Sequence, residues 1–260
     1  MRVALTIAGS DPSGGAGIQA DIKTFHAHGV FGMSVITAVT VQNTLKVYDI
    51  QEIEPGIVSG QISCLFEDIE IDAVKIGMVS SVPLIEAIFC ALDGRSLPPV
   101  VLDPVMISKS GYPLLKEDAR EALVKRLFPL ARVVTPNIHE AQFLCGFPVK
   151  TVEDMKKAAM RMLELGAGGA VIKGGHLEGY DAVDLLFDGT EFETVSSPRI
   201  ETRNTHGTGC TFSSALAANM TTGMSFFEAA KRAKAYITRA IAGAPGIGRG
   251  SGPLNHMVKP

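Results

Sequence analysis

The chain has 260 residues, 46% hydrophobic and 20% charged, which is enough apolar surface to offset the entropy of ordering one domain and excludes a largely disordered chain. Lysine and arginine number 24 against 27 acidic residues, and a net charge of -3 offers no basic field for a nucleic acid. The longest mostly apolar stretch, Val30 to Val41, is shorter than the roughly 20 residues of a spanning helix, and the apolar part of MRVALTIAGSDP is too short for a signal-peptide core, so no membrane span and a cytoplasmic location are expected.

The apolar run Val3 to Ala8 predicts a first strand, and behind it Ile18, Ile22 and Phe25 fall at i, i+4 and i+7 on one helix face. Further strands are predicted at Ser34 to Val41, Ala73 to Ile76, Val100 to Leu102, Arg132 to Thr135 and Ala170 to Ile172, with Met155, Ala159 and Met162 repeating the helical spacing between the last two. From Ala182 to Val195 two short runs around Asp188-Gly189 signal a hairpin, which adds antiparallel strands at a sheet edge. Two helices close the pattern, roughly Thr208 to Met220 and Phe226 to Ala242, with Gly223 as a stop between them and a Gly- and Pro-rich loop after Gly243. Strands alternating with helices predict a mostly parallel sheet covered on both faces. No fixed-period repeat or composition shift marks a boundary, so residues 1–260 read as one domain.

Cys64, Cys90, Cys145 and Cys210 form no Cys-x-x-Cys pair and no Cys/His cluster, which argues for reduced thiols rather than a disulfide framework or a zinc site. Cys64, Cys90 and Cys145 read as small buried thiols in helices. Cys210 differs, because it follows Asn204-Thr205-His206-Gly207-Thr208-Gly209 at the start of a small-residue helix. The N–H groups of Gly207 to Cys210 would form an anion hole there, and the helix dipole would favour a thiolate on Cys210.

In an open parallel sheet ligands bind beyond the carboxyl ends of the strands, and those segments are polar and glycine-rich here. Gly9 to Gly17 follows the first strand, where free N–H groups would face a ligand. Its Gly9 and Gly14 have P-loop spacing, but Gly15 and Ala16 stand where lysine and Ser/Thr are required. Gly15 to Ala20 matches G-x-G-x-x-A, yet Gln42 and Asn43 replace the acid that holds an adenosine ribose, so a nicotinamide enzyme and a mere packing loop both stay open. In Thr135-Pro136-Asn137-Ile138-His139-Glu140, Asn137 and Glu140 form an Asn version of the capping box and also lie one turn apart, able to hold water around a magnesium ion. Phe143 stands where H-E-x-x-H needs its second histidine, which excludes a zinc protease. Lys173, in Lys173-Gly174-Gly175-His176, can approach phosphate oxygens or simply be solvated, and Asp103 can orient magnesium-bound water or cap the next turn.

Seven segments, ALTIAGSDPSGGAGIQADIKTF, TAVTVQNT, KIGM, LDPVM, TPNIHEA, KGGH and NTHGTGCT, together resemble the ribokinase-like superfamily, and within it the hydroxymethylpyrimidine and phosphomethylpyrimidine kinases of thiamine biosynthesis. The resemblance spans nearly the whole chain and implies a ribokinase-like three-layer sandwich and a homodimer. It also implies ATP-dependent phosphorylation, with magnesium, of 4-amino-5-hydroxymethyl-2-methylpyrimidine and then of its monophosphate. Carried to matching positions, Gly9, Ala16, Gln42, Met78 and Val105 would surround the pyrimidine, with Asp21 a weaker candidate. Asn137 and Glu140, supported by Asp103, would serve the metal, Lys173 the ATP phosphates, and the backbone of Gly207, Thr208 and Gly209 the transferred group. Most ribokinase-like enzymes place an aspartate base where this chain has Cys210, a departure usual in the pyrimidine-kinase branch. A vitamin B6 kinase of that branch and a non-catalytic homologue remain open, and the adenine contacts are expected after the last helices.

Overall fold

The computed structural model of the chain describes residues 1–108, 111–175, 177 and 181–260. Nine strands form one sheet: β1 (Val3–Ser10), β2 (Phe31–Gln42), β3 (Val47–Glu52), β4 (Ala73–Ile76), β5 (Val100–Leu102), β6 (Val133–Val134), β7 (Ala170–Lys173), β8 (Asp181–Phe187) and β9 (Phe192–Pro198). Their order is β3-β2-β1-β4-β5-β6-β7-β8-β9. The six strands from β2 to β7 run parallel, and antiparallel strands close both edges, β3 on one side and the β8–β9 hairpin on the other.

The helices are α1 (Gly17–Ala27), α2 (Pro55–Asp68), α3 (Val82–Leu92), α4 (Ala119–Ala122), α5 (Ile138–Cys145), α6 (Val152–Glu164), α7 (Thr208–Met220) and α8 (Phe226–Ala242). Strand alternation sorts the core into two layers. Val74, Ile76, Val100 and Leu102 pack with α2 to α6, whereas Ala73, Val101, Val133 and Val171 pack with α1, α7 and α8. Central strands buried on both faces read as continuous apolar runs, which is why they were visible without an alternating pattern. Helix α7 is buried nearly all round, from Thr211 to Asn219, because its Ser and Ala side chains let it lie close against the sheet. The result is a ribokinase-like three-layer α/β sandwich.

Three expectations need correction. Edge strand β3, VYDIQE, escapes a search for apolar runs because only Val47 in it is buried. Cys64 and Cys90 are exposed rather than buried, since they sit on the solvent sides of α2 and α3, and Cys145 is only half-buried. Strands β1 and β2 also run past their predicted ends, to Ser10 and Gln42, and carry the site loops with them.

Candidate active site

A cleft of about 1170 Å³ lies over the carboxyl ends of the parallel strands. Gly9, Ala16, Gln42, Met78 and Val105 line one end, and Asp103, Asn137, Glu140, Lys173, Gly207, Thr208, Gly209 and Cys210 line the middle. Ala182, Pro198, Ile200, Phe212, Ile237 and Ile241 form an apolar far end. That end is built by the hairpin, α7 and α8. His176 of the KGGH segment lies outside the described residues.

Asp21 is the exception among the expected site residues. It is fully buried on the inner face of α1, where it takes hydrogen bonds from Thr6 Oγ1 at 2.6 Å and Ser214 Oγ at 2.7 Å and pairs with Lys75 Nζ at 2.9 Å. Lys75 is equally sealed, and although burial opposes its charge, Asp21 and the more distant Cys210 and Asp103 hold its ammonium above the usual lysine range. This is a structural pair beneath the cleft floor, not a ligand for the ring.

The centre of the cleft gathers charged side chains. Asp103 Oδ1 accepts from Thr135 Oγ1 at 2.9 Å and from Lys173 Nζ at 2.8 Å. Burial works against the Lys173 charge, but Asp103 and Glu140 raise its pKa overall. Glu140 closes the capping box of α5, its Oε2 accepting the Asn137 N–H at 2.8 Å while Asn137 Oδ1 accepts the Glu140 N–H at 3.0 Å. Burial pushes the Glu140 carboxyl up to about 7, with Lys173 lowering and Asp103 raising it. Two carboxyl groups thus lie in the field of one lysine, and a cation beside them would favour the ionised form of Glu140.

Helix α7 points its N-terminus at this group. Its cap, Gly207, has φ 80°, and a Cβ there would fall 1.8 Å from the Gly15 carbonyl oxygen, so no other residue fits. A Cβ on Gly209 would stand 3.2 Å from both Asp103 Oδ2 and Lys173 Nζ, which shows how closely the first turn approaches the pair. First-turn N–H groups have no acceptor within the helix and carry its positive dipole end, as an anion hole requires.

Cys210 lines the cleft in that turn, but its thiol is not the favoured thiolate expected from the dipole. Burial pushes it up to about 11, and the Asp21 and Asp103 carboxylates add to that, while Lys75 and the Gly17 N–H act in the opposite sense. The dipole argument omitted the desolvation of the sulfur, which here outweighs it.

Sequence reasoning also missed how the two glycine loops are joined. Asp11 Oδ2 lies 2.8 Å from His206 Nε2 and 2.8 Å from the Ala16 N–H, while Oδ1 takes the Ser13 N–H and hydroxyl. Burial acts to raise the Asp11 carboxyl, but the hydrogen bonds from His206 and Ser13 hold it below the usual carboxylate range. A Cβ on Gly15 would fall 2.4 Å from His206 Cδ2, so this loop packs on the α7 loop rather than offering its glycines to a dinucleotide. A second buried pair, Lys234–Asp184 at 2.7 Å, lines the far end of the cleft. Its visible signals were a lysine on the apolar face of α8 and an aspartate inside an apolar strand.

Comparison with known proteins agrees with this architecture. A family model described as phosphomethylpyrimidine kinase matches residues 11–255. The hydroxymethylpyrimidine/phosphomethylpyrimidine kinase of Rhizobium meliloti is 49% identical over 98% of this chain and 97% of its own length. The thiamine biosynthesis bifunctional protein ThiED of Geobacter sulfurreducens is 50% identical over 98% of this chain, which spans only 52% of that longer protein. A crystal structure of an ADP complex of Bacillus subtilis pyridoxal kinase superimposes with a TM-score of 0.90 at 40% identity, over 98% of this chain and 97% of that one.

Proposed function

This chain belongs to the phosphomethylpyrimidine kinase family, and from that premise we infer that it transfers phosphate from ATP to 4-amino-5-hydroxymethyl-2-methylpyrimidine and then to the monophosphate so formed, in thiamine biosynthesis. The observation that carries this reading is the meeting, in one cleft, of a ring-sized pocket, a helix N-terminus and the Asp103–Lys173–Glu140 group.

Phosphoryl transfer passes through a loose transition state, so the chain's work is to hold donor and acceptor in line and to match the spreading negative charge. The N–H groups at the start of α7 and the Lys173 ammonium face that charge. Magnesium suits Asp103 and Glu140 as a water-retaining ion held by two carboxylates and substrate phosphates; among the described residues no cluster of three ligating side chains offers a full protein cage. When bound it would neutralise phosphate charge. In its deprotonated form, which burial keeps a minority at neutral pH, Cys210 accepts the hydroxyl proton during the first transfer and becomes the neutral thiol. In the second the nucleophile is a phosphate oxygen, mostly ionised at pH 7 with a second pKa of about 6, and needs no base.

The pyridoxal kinase neighbour supports a second reading, a vitamin B6 acceptor. A coupled ATP assay comparing hydroxymethylpyrimidine, its monophosphate and pyridoxal distinguishes the two: the pyrimidines should have the highest kcat/KM, and a higher value for pyridoxal would overturn the first reading. The protein acts in the cytoplasm, in keeping with its free cysteines, and among the described residues no helix is long and apolar enough to cross a membrane. A homodimer is supported by the apolar surface of the β2–β3 edge, where Val39, Val41, Leu45 and Tyr48 are each about half exposed. Sedimentation at micromolar concentration should give twice the chain mass.

A further inference from the structure

Gln42 ends β2 at the rim of the ring pocket, and its side-chain amide lies between two neighbours. As placed, its nitrogen is 3.1 Å from His206 Nε2 and its oxygen 3.3 Å from Thr40 Oγ1. The two ends of an amide have nearly the same shape but opposite hydrogen-bonding character, so the network around them decides which end faces which neighbour.

That network leaves one consistent answer. The Asp11 carboxylate is buried and gathers the Ser13 N–H and hydroxyl and the Ala16 N–H, a set of donors that an ionised group satisfies. An ionised carboxylate only accepts, so the His206 Nε2 atom 2.8 Å away must carry its hydrogen. A protonated Nε2 cannot accept from the Gln42 amino group, but it can share its hydrogen with the Gln42 oxygen. On the other side the Thr40 hydroxyl donates to the Ser10 carbonyl at 3.0 Å, which leaves its oxygen to accept from the Gln42 amino group. Reversing the amide therefore replaces a donor–donor conflict by an unbroken chain of hydrogen bonds from Asp11 through His206, Gln42 and Thr40 to the Ser10 carbonyl.

We propose that Asp11 and His206 are positioning residues that lock the Gln42 amide with its oxygen toward His206 and its nitrogen toward Thr40, so that Gln42 reads a ring edge in one sense only. This rests on the reading that the acceptor ring lies against Gln42. The edge that fits is an amidine, an exocyclic amine beside a ring nitrogen: the amine donates to the Gln42 oxygen and the ring nitrogen accepts from its amino group. A 4-oxo ring presents the reverse order, a carbonyl beside a ring N–H. Turning such a ring over does not rescue it, because the neighbouring hydroxymethyl arm must reach the start of α7 to be phosphorylated. A mispaired two-bond edge costs roughly 10- to 100-fold in discrimination.

The test compares kcat/KM of the full-length enzyme for hydroxymethylpyrimidine and for its 4-oxo analogue. The unaltered protein should favour the amine by at least roughly tenfold, and Asp11→Asn and His206→Phe should each shrink that ratio by a similar factor, because the amide is then free to turn. A preference absent in the unaltered protein, or a ratio unchanged in folded variants that slow both acceptors equally, would overturn the proposal. Nitrogen NMR of the unaltered protein with labelled histidine provides a reading independent of any variant's folding. It should show His206 protonated at Nε2, and a neutral ring protonated at Nδ1 alone would overturn the lock. The functional reading fails differently, by a lack of transfer to either pyrimidine, and that result would leave the NMR result untouched.

Discussion

Two lysine–aspartate pairs, Lys75–Asp21 and Lys173–Asp103, are built alike and placed differently, one sealed in the core and one lining the cleft. In each a strand lysine meets an aspartate at hydrogen-bond distance, 2.9 Å in the first and 2.8 Å in the second. The side chains of the first are 0% exposed on both partners, and Thr6 and Ser214 complete the carboxylate's hydrogen bonds. It ties α1 and α7 to β1 and β4 and has nothing left to offer a ligand. In the second pair Lys173 keeps 14% exposure, and Asp103 places both its donors on Oδ1 while Oδ2 faces the first turn of α7. What separates the sealed ion pair from the one at the cleft is therefore the unused valence of Asp103 Oδ2 and the partial exposure of Lys173, not the chemistry of the partners.

Breaking each pair should have opposite consequences. Asp21→Ala strands a lysine in the dry core and should lower unfolding free energy by roughly 3–5 kcal/mol in denaturant titration, with the remaining folded enzyme still active. Lys173→Ala leaves Asp103 bonded to Thr135 at the lining of the cleft, so melting should move less than in Asp21→Ala while kcat falls by roughly 10²- to 10³-fold. If Lys173→Ala unfolds the protein and Asp21→Ala merely slows it, the comparison is wrong.

A smaller effect sharpens the role of the third group near these pairs. The free Cys210 thiol, held up near 11, is protonated at neutral pH, so a base role requires its deprotonated form and the sign is fixed. The first phosphorylation should accelerate by up to about tenfold per pH unit between pH 7 and 9, whereas the second, whose nucleophile is already ionised above about pH 6, should stay nearly flat. Parallel pH profiles for the two acceptors would remove Cys210 from the proton's path.

The contrast between the pairs also shows what could be read in advance. Lys173 at a strand end beside two glycines, and Asp103 after an apolar run, were legible because strand ends in a parallel sheet face the ligand. The cleft lining followed for the same reason, from Gly9 to Cys210. Asp21 was misplaced although a signal existed: it shares the buried face of α1 with Ile18 and Phe25 at i+3 and i+7 spacing, and Lys75 interrupts an otherwise apolar strand. Two charges on buried faces have to meet, but which partner each finds depends on packing between α1 and β4, which no local pattern carries. Edge strand β3 was invisible because an edge needs few apolar residues. The Cys210 thiol was misjudged because desolvation is a property of the assembled site, whereas a helix terminus is visible locally.

Purified Cys210→Ala, assayed separately with hydroxymethylpyrimidine and with its monophosphate, tests the central claim most directly. The first transfer should slow by roughly 10²-fold or more while the second stays within a fewfold of the unaltered enzyme. Equal losses with both acceptors would contradict a base at Cys210 and leave the first turn of α7 with only its anion-binding role.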